Sequence, residues 1–130
     1  MMFSQLSIKT SGKVDFVSIT TQIDHFVESA GIEEGIVVIN VPHTTAAVTI
    51  NEDADPSVKK DIKDQLNKVI PFKDNYKHME GNSAAHIKSS VIGTDQTVII
   101  KNGKLLLGRW QGIFLCDFDG PRTRKVNLKL

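Results

Sequence analysis

Apolar residues recur along this chain in two rhythms, one of period two and one of helical period, and their changes mark the elements. Residues 2–10 and 13–19 alternate, which predicts an opening pair of strands with Ser11-Gly12 as the turn between them. The period then lengthens. Ile23, Phe26, Val27 and Ala30 fall on one helical stripe, with Thr20 or Thr21 placed to cap its start and Gly31 just past its end. Residues 36–41 are β-branched and apolar at nearly every position, the pattern of a central strand buried on both faces. Pro42 interrupts, and a further strand follows through residues 44–51. Asp55 directly before Pro56 marks a helix start, and Val58, Ile62, Leu66 and Val69 keep helical spacing until Pro71.

Residues 71–82 read as a long polar loop, a length that in a compact domain signals function or an interface. Ser83 is placed to cap a short helix ending near Val91, and from there the chain turns β-rich. Residues 97–101 and 104–107 flank Asn102-Gly103, a type I′ hairpin signal. Two more strands, residues 113–118 and 124–130, are joined at Asp119-Gly120-Pro121. Trp110-Gln111-Gly112 suits a bulge that turns a barrel corner, with Trp110 in the core or at a subunit interface. Nothing repeats and no linker divides the chain. The pattern predicts one α+β domain over residues 1–130, a strand-rich sheet or barrel with about three helices beside it.

Composition narrows the partners. A formal net charge of +1 gives no bulk basic field for nucleic acid. No apolar run approaches the roughly 20 residues of a membrane span, and the first residues lack a signal peptide's basic-then-apolar order. The single cysteine, Cys116, cannot form an internal disulfide. A cytoplasmic protein without nucleic-acid or membrane partners is expected.

Chemistry concentrates in three segments. Residues 78–86 hold His78, Glu80 and His86, and Gly81, Ala84 and Ala85 leave room for a ligand to approach the backbone. With Ser83 as the cap, His86 falls at the third helical position beside free N–H groups, where an anion or metal can bind. The second segment begins at His43. Strand alternation places His43, Thr45, Ala47, Thr49 and Asn51 on one small, polar face suited to a pocket, and Thr44, Ala46, Val48 and Ile50 on the other. His43 is either a hydrogen-bonded structural residue or, with His78 and His86, part of a three-histidine metal site with an open position. The third is residues 117–124. Arg122 and Arg124 share parity with apolar Val126, Leu128 and Leu130. Arg122, beside Pro121, suits bidentate capture of phosphate or carboxylate, or else an Arg–Asp bridge.

Some readings fail at once. His78-x-Glu80 has a zinc-deaminase spacing, but one cysteine cannot supply the required Cys-x-x-Cys. His78 and His86 are too far apart for a His-Glu-x-x-His helix. Residues 51–55 lack the glycine and late glutamate of a calcium loop, so Asp55 is better explained as a helix cap. His25 reads as structural.

Taken together, residues 43–52, residues 80–86 with Lys88-Ser89-Ser90, residues 108–113 and residues 117–122 resemble the YjbQ family, the secondary thiamine-phosphate synthase family, over nearly the whole chain. The resemblance implies a mixed, mostly antiparallel β-barrel with helices, assembled as a homotrimer with candidate sites near subunit boundaries. It also implies a weak thiamine-phosphate synthase activity, in which hydroxymethylpyrimidine diphosphate and a thiazole phosphate are joined and pyrophosphate leaves. Under it, His43, Glu80, His86, Asp119 and Arg122 are the catalytic candidates, and Thr45, Asn82, Ser83 and Arg122 hold phosphate. A divalent ion on His43, His78 and His86 would neutralise the diphosphate: zinc by the histidines, magnesium by the reaction. Two alternatives stand beside it: a metal-dependent hydrolase of unknown substrate, and a non-catalytic binder of a small phosphorylated metabolite.

Overall fold

The structure, a computed structural model, describes residues 2–130. Its strands form two antiparallel sheets. One, with five strands, runs in the order β1 (Phe3–Lys9), β8 (Thr123–Lys129), β3 (Glu34–Asn40), β5 (Asp95–Lys101) and β6 (Lys104–Leu105). The other has β7 (Gln111–Asp117) at its centre, between β2 (Asp15–Ser18) and β4 (Ala46–Glu52). Each ladder among the described residues is antiparallel, and the curled sheets with three helices bear out the α+β expectation.

The main core lies between the sheets. Ile8, Val37, Ile39, Val98, Val126 and Leu128 meet Ala46, Val48, Ile113 and Leu115 there, and helix α1 (Thr20–Ala30) adds Ile23, Phe26 and Val27. A second core lies on the opposite face of the small sheet. There Phe16, Ala47, Phe114, Cys116 and Phe118 pack with Ala85 of α3 (Ser83–Ile92) and with Ile62 and Leu66 of α2 (Pro56–Val69).

Several expectations change. The first two strands are not a hairpin: β1 pairs with β8 along its whole length, and β2 pairs with β7 in the other sheet. The last two strands are likewise divided between the sheets. Both corners arise because a strand must cross from one layer to the other, which alternation cannot signal. Nor is β3 the doubly buried strand. Ile36 is 50% exposed, opposite an equally open Ile99. That place belongs to β7, whose odd and even positions fill different cores. Trp110 is not core either; it is 55% exposed, with Arg109 over its ring.

The helix boundaries hold more closely. Asp55 caps α2, its Oδ1 accepting from the Ser57 N–H at 2.9 Å. Gly31 ends α1 in the left-handed region, φ 66°. Thr20 is the first residue of α1, and its hydroxyl accepts from the Ile113 N–H instead of capping the helix. Asn102 and Gly103 both have positive φ, as the predicted hairpin turn requires.

Candidate functional site

Strand β3 ends at Asn40, whose partner on β8 is Asn127. Pro42 follows shortly and has no N–H to extend the ladder. The N–H of Lys125, two residues back along β8, is taken instead by a side chain: His43 Nε2 accepts it at 2.9 Å. A ring nitrogen that accepts carries no proton, so the neutral imidazole keeps its proton on Nδ1. Burial and the Arg124 guanidinium hold the His43 pKa below the usual imidazole range, with Asp117 opposing them.

Next to His43 is a buried ion pair that ties the two sheets together. Arg124, 2% exposed, donates from Nη2 to Asp117 Oδ1 at 2.7 Å and to Thr45 Oγ1 at 2.8 Å. Asp117 also accepts from the Thr10 hydroxyl at 2.7 Å and from the Asp119 N–H at 2.9 Å. Burial alone would raise the Asp117 pKa, but the donors outweigh it and hold the carboxyl below its ordinary value. Gly120 seals this corner. A Cβ there would lie 2.4 Å from the Gly12 carbonyl oxygen and 2.8 Å from both Asp117 Oδ2 and Thr10 Oγ1.

From this corner Asp119 reaches outward. Its Oδ2 accepts from Asn82 Nδ2 at 3.0 Å and lies 3.3 Å from Arg122 Nη2, while its carbonyl accepts from Arg122 Nε. The Arg–Asp bridge alternative therefore describes Arg122, which remains half-exposed. Asp119 thus joins the start of α3 to the β7–β8 connection. Asn82, not Ser83, is the N-cap residue, and its side chain makes no capping bond, so Ser83 is the first helical residue and His86 the fourth.

Helix α3 lies close on β4 because Ala84 and Ala85 are fully buried. On its half-open side His86 meets His78 edge to face, ring centroids 5.3 Å apart. Glu80 is mostly exposed, 3.9 Å from His78 Nε2. His86 and His43 share a cavity of about 300 Å³ with Thr44, Ser89, Ser90 and Thr94. Its lining contains no carboxylate.

The expected residues thus gather from three distant segments, but in unequal roles. His43 and His86 face one cavity; Asn82, Asp119 and Arg122 form a chain of contacts beside it. Thr45 is buried beneath, supporting Arg124, and Ala47 packs in the helix-side core, so the small polar face of β4 does not line a pocket. A three-histidine ion does not fit this chain. His43 has committed Nε2 to Lys125, and among the described residues no three His, Cys, Asp or Glu side chains lie close enough to share a metal.

Sequence reasoning gave too little weight to Arg124, Ser89 and Lys88. Parity did place Arg124 inward with Val126 and Leu128; Arg122 precedes the first residue of β8, where alternation no longer applies. Lys88 and Ser89 lie on the helical stripe of Ala84 and Ala85, and that spacing was the available signal. Lys88 is fully buried, donates to Asn67 Oδ1 and stands 3.7 Å from the centre of the Phe72 ring. Burial, with Lys13 nearby, pulls its pKa down to about 8.

No helix among the described residues is long and apolar enough to cross a membrane. Residues 4–130 match the family model of UPF0047 protein YjbQ-like. The chain is 48% identical to UPF0047 protein YugU of Bacillus subtilis, covering 99% of this chain and 98% of that one. It is 53% identical to a UPF0047 protein of Methanocaldococcus jannaschii, over 99% and 94%. A crystal structure from Clostridium acetobutylicum, described as an uncharacterized conserved protein of the YjbQ/UPF0047 family, superposes with a TM-score of 0.96 at 52% identity, covering 97% of this chain and 98% of that one. A Sulfolobus solfataricus structure described as a protein of unknown function gives 0.93 at 32% identity, over 97% and 93%. On sequence and fold alike, the chain belongs to the YjbQ/UPF0047 family, whose function these relatives leave unassigned.

Proposed function

We propose that this chain is a transferase acting on small phosphorylated metabolites, with the secondary thiamine-phosphate synthase activity that its family resemblance implies. The observation that carries this reading is the composition of the shared cavity: two imidazoles and four hydroxyl side chains, no carboxylate, and a buried guanidinium near one wall. In the proposed reaction a thiazole nitrogen bonds to the pyrimidine methylene while the carbon–oxygen bond to diphosphate breaks. The electron pair leaves with the diphosphate, so donors that stabilise departing charge matter more than a strong base. In this reading His86 and Ser90 of the lining, with the half-exposed Arg122, would be the donors.

Assembly as a homotrimer is part of the same proposal. Exposed apolar surface supports it: Val69, Ile87 and Val91 line an outer groove of about 580 Å³ between α2 and α3, and Ile36 and Ile99 stand open on the large sheet. The deciding experiment is turnover of hydroxymethylpyrimidine diphosphate with thiazole phosphate. Thiamine phosphate should form, and His86→Ala and Arg122→Ala should each lower kcat/KM by about tenfold or more, the loss typical of a charge-assisted hydrogen bond. Wild-type protein that forms none, or variants with unchanged rates, would discard the reading.

A further inference from the structure

The cavity has a donor whose state is fixed by the backbone. His43 gives Nε2 to the Lys125 N–H, and its Nδ1 takes part in no hydrogen bond among the described residues, although the ring lines the cavity. Protonating Nε2 would set two N–H groups against each other at 2.9 Å, so the sheet edge selects one tautomer. A second group lacks a partner in the wall of the same cavity: Ser89, a lining residue only 2% exposed, has its Oγ buried with no hydrogen bond among the described residues. An unpartnered hydroxyl at such depth is costly unless a ligand or water meets it. Arg124 Nε, also buried, likewise has no partner among the described residues.

We infer that His43 is a neutral hydrogen-bond donor, locked by the end of the β3–β8 ladder to present Nδ1–H, and that with Ser89 it binds an acceptor atom of the ligand. The acceptor is an oxygen or ring nitrogen of a phosphorylated small molecule, which deepens the proposed function and rests on it for the ligand's identity. His43 is then neither a metal ligand through Nε2 nor the proton acceptor of the reaction. It contributes a fixed dipole that needs no reorganisation when charge develops on the ligand.

Nitrogen-15 NMR of histidine-labelled protein at pH 7 tests the tautomer without any ligand. His43 should show a protonated Nδ1 and an unprotonated Nε2; the reverse pattern, or a doubly protonated ring, overturns the inference. Because this reading is made on the free protein, it stands apart from any failure of synthase turnover. Inorganic pyrophosphate is the binding probe. His43→Asn, whose amide can stand near the Nδ1 position, should retain affinity within about threefold, whereas His43→Ala and Ser89→Ala should each lose about tenfold, one hydrogen bond's worth. Equal loss in His43→Asn and His43→Ala, unchanged affinity in Ser89→Ala, or zinc-induced shifts at His43 Nε2 would each overturn it. Thermal unfolding of each variant separates lost binding from lost folding.

Discussion

Lys88 and Asp117 are both buried, yet their surroundings treat them in opposite ways. Asp117 has Arg124, Thr10 and a backbone N–H; Lys88 has an amide oxygen and an aromatic ring, and no carboxylate partner among the described residues. Removing one side of the Asp117–Arg124 pair strands a charge, so Asp117→Asn should lose about 3–5 kcal/mol in urea unfolding. The carboxyl's folded pKa lies below its ordinary value of 3.8, so its contribution is complete above that value. It fades as pH falls through the folded pKa, and the gap between wild type and Asp117→Asn should close in acid. For Lys88 the folded pKa of about 8 lies below the ordinary 10.5, so the folded state binds fewer protons between those values. Its contribution is therefore full only above 10.5 and is lost as pH falls to about 8. Lys88→Met should raise stability at pH 7 by about 1–3 kcal/mol, with the gain shrinking as pH rises from 8 to 10.5; a variant no more stable at pH 7 would refute this.

At the scale of elements, the sequence was most legible where local chemistry sets a boundary. Asp55-Pro56 starts α2, Gly31 ends α1 and Asn102-Gly103 turns a hairpin, each through bonds made within a few residues. It was least legible where an element's partner lies far along the chain. The β1–β8 ladder joins residues more than 110 apart, and alternation in β1 suits a strand paired with either neighbour. The site shows the same division. The histidines and Arg122 could be found by residue type, but the role of His43 depends on a Lys125 N–H left over where Pro42 ends a strand. The corner between β7 and β8 is the element most sensitive to size. Gly120→Ala should cost about 1–3 kcal/mol by overpacking, because backbone as well as Asp117 and Thr10 must shift. Denaturant midpoints of Gly120→Ala and wild type, measured together, check it.

For the whole molecule, three layers are stacked: a large sheet, a small sheet buried on both faces, and the pair α2 and α3. The large sheet and the helix pair both keep apolar residues on their outer surfaces, which a monomer in water would leave uncovered. The homotrimer proposed above would cover them, and under that proposal sedimentation equilibrium should give three times the chain mass of 14.4 kDa. Val91→Glu, on the rim of the helix groove, should shift that mass towards one chain while far-UV circular dichroism stays unchanged; a wild-type monomer would refute the assembly. The middle layer also bears on ligand choice. His86 rides on α3 and His43 follows the end of β3, so the gap between them depends on how closely Ala85 of the helix packs on Ala47 of β4. Those two methyl groups act as shims. Thickening either would widen the histidine gap without removing any polar group of the cavity. The size of ligand admitted would then be set by side chains that never touch it.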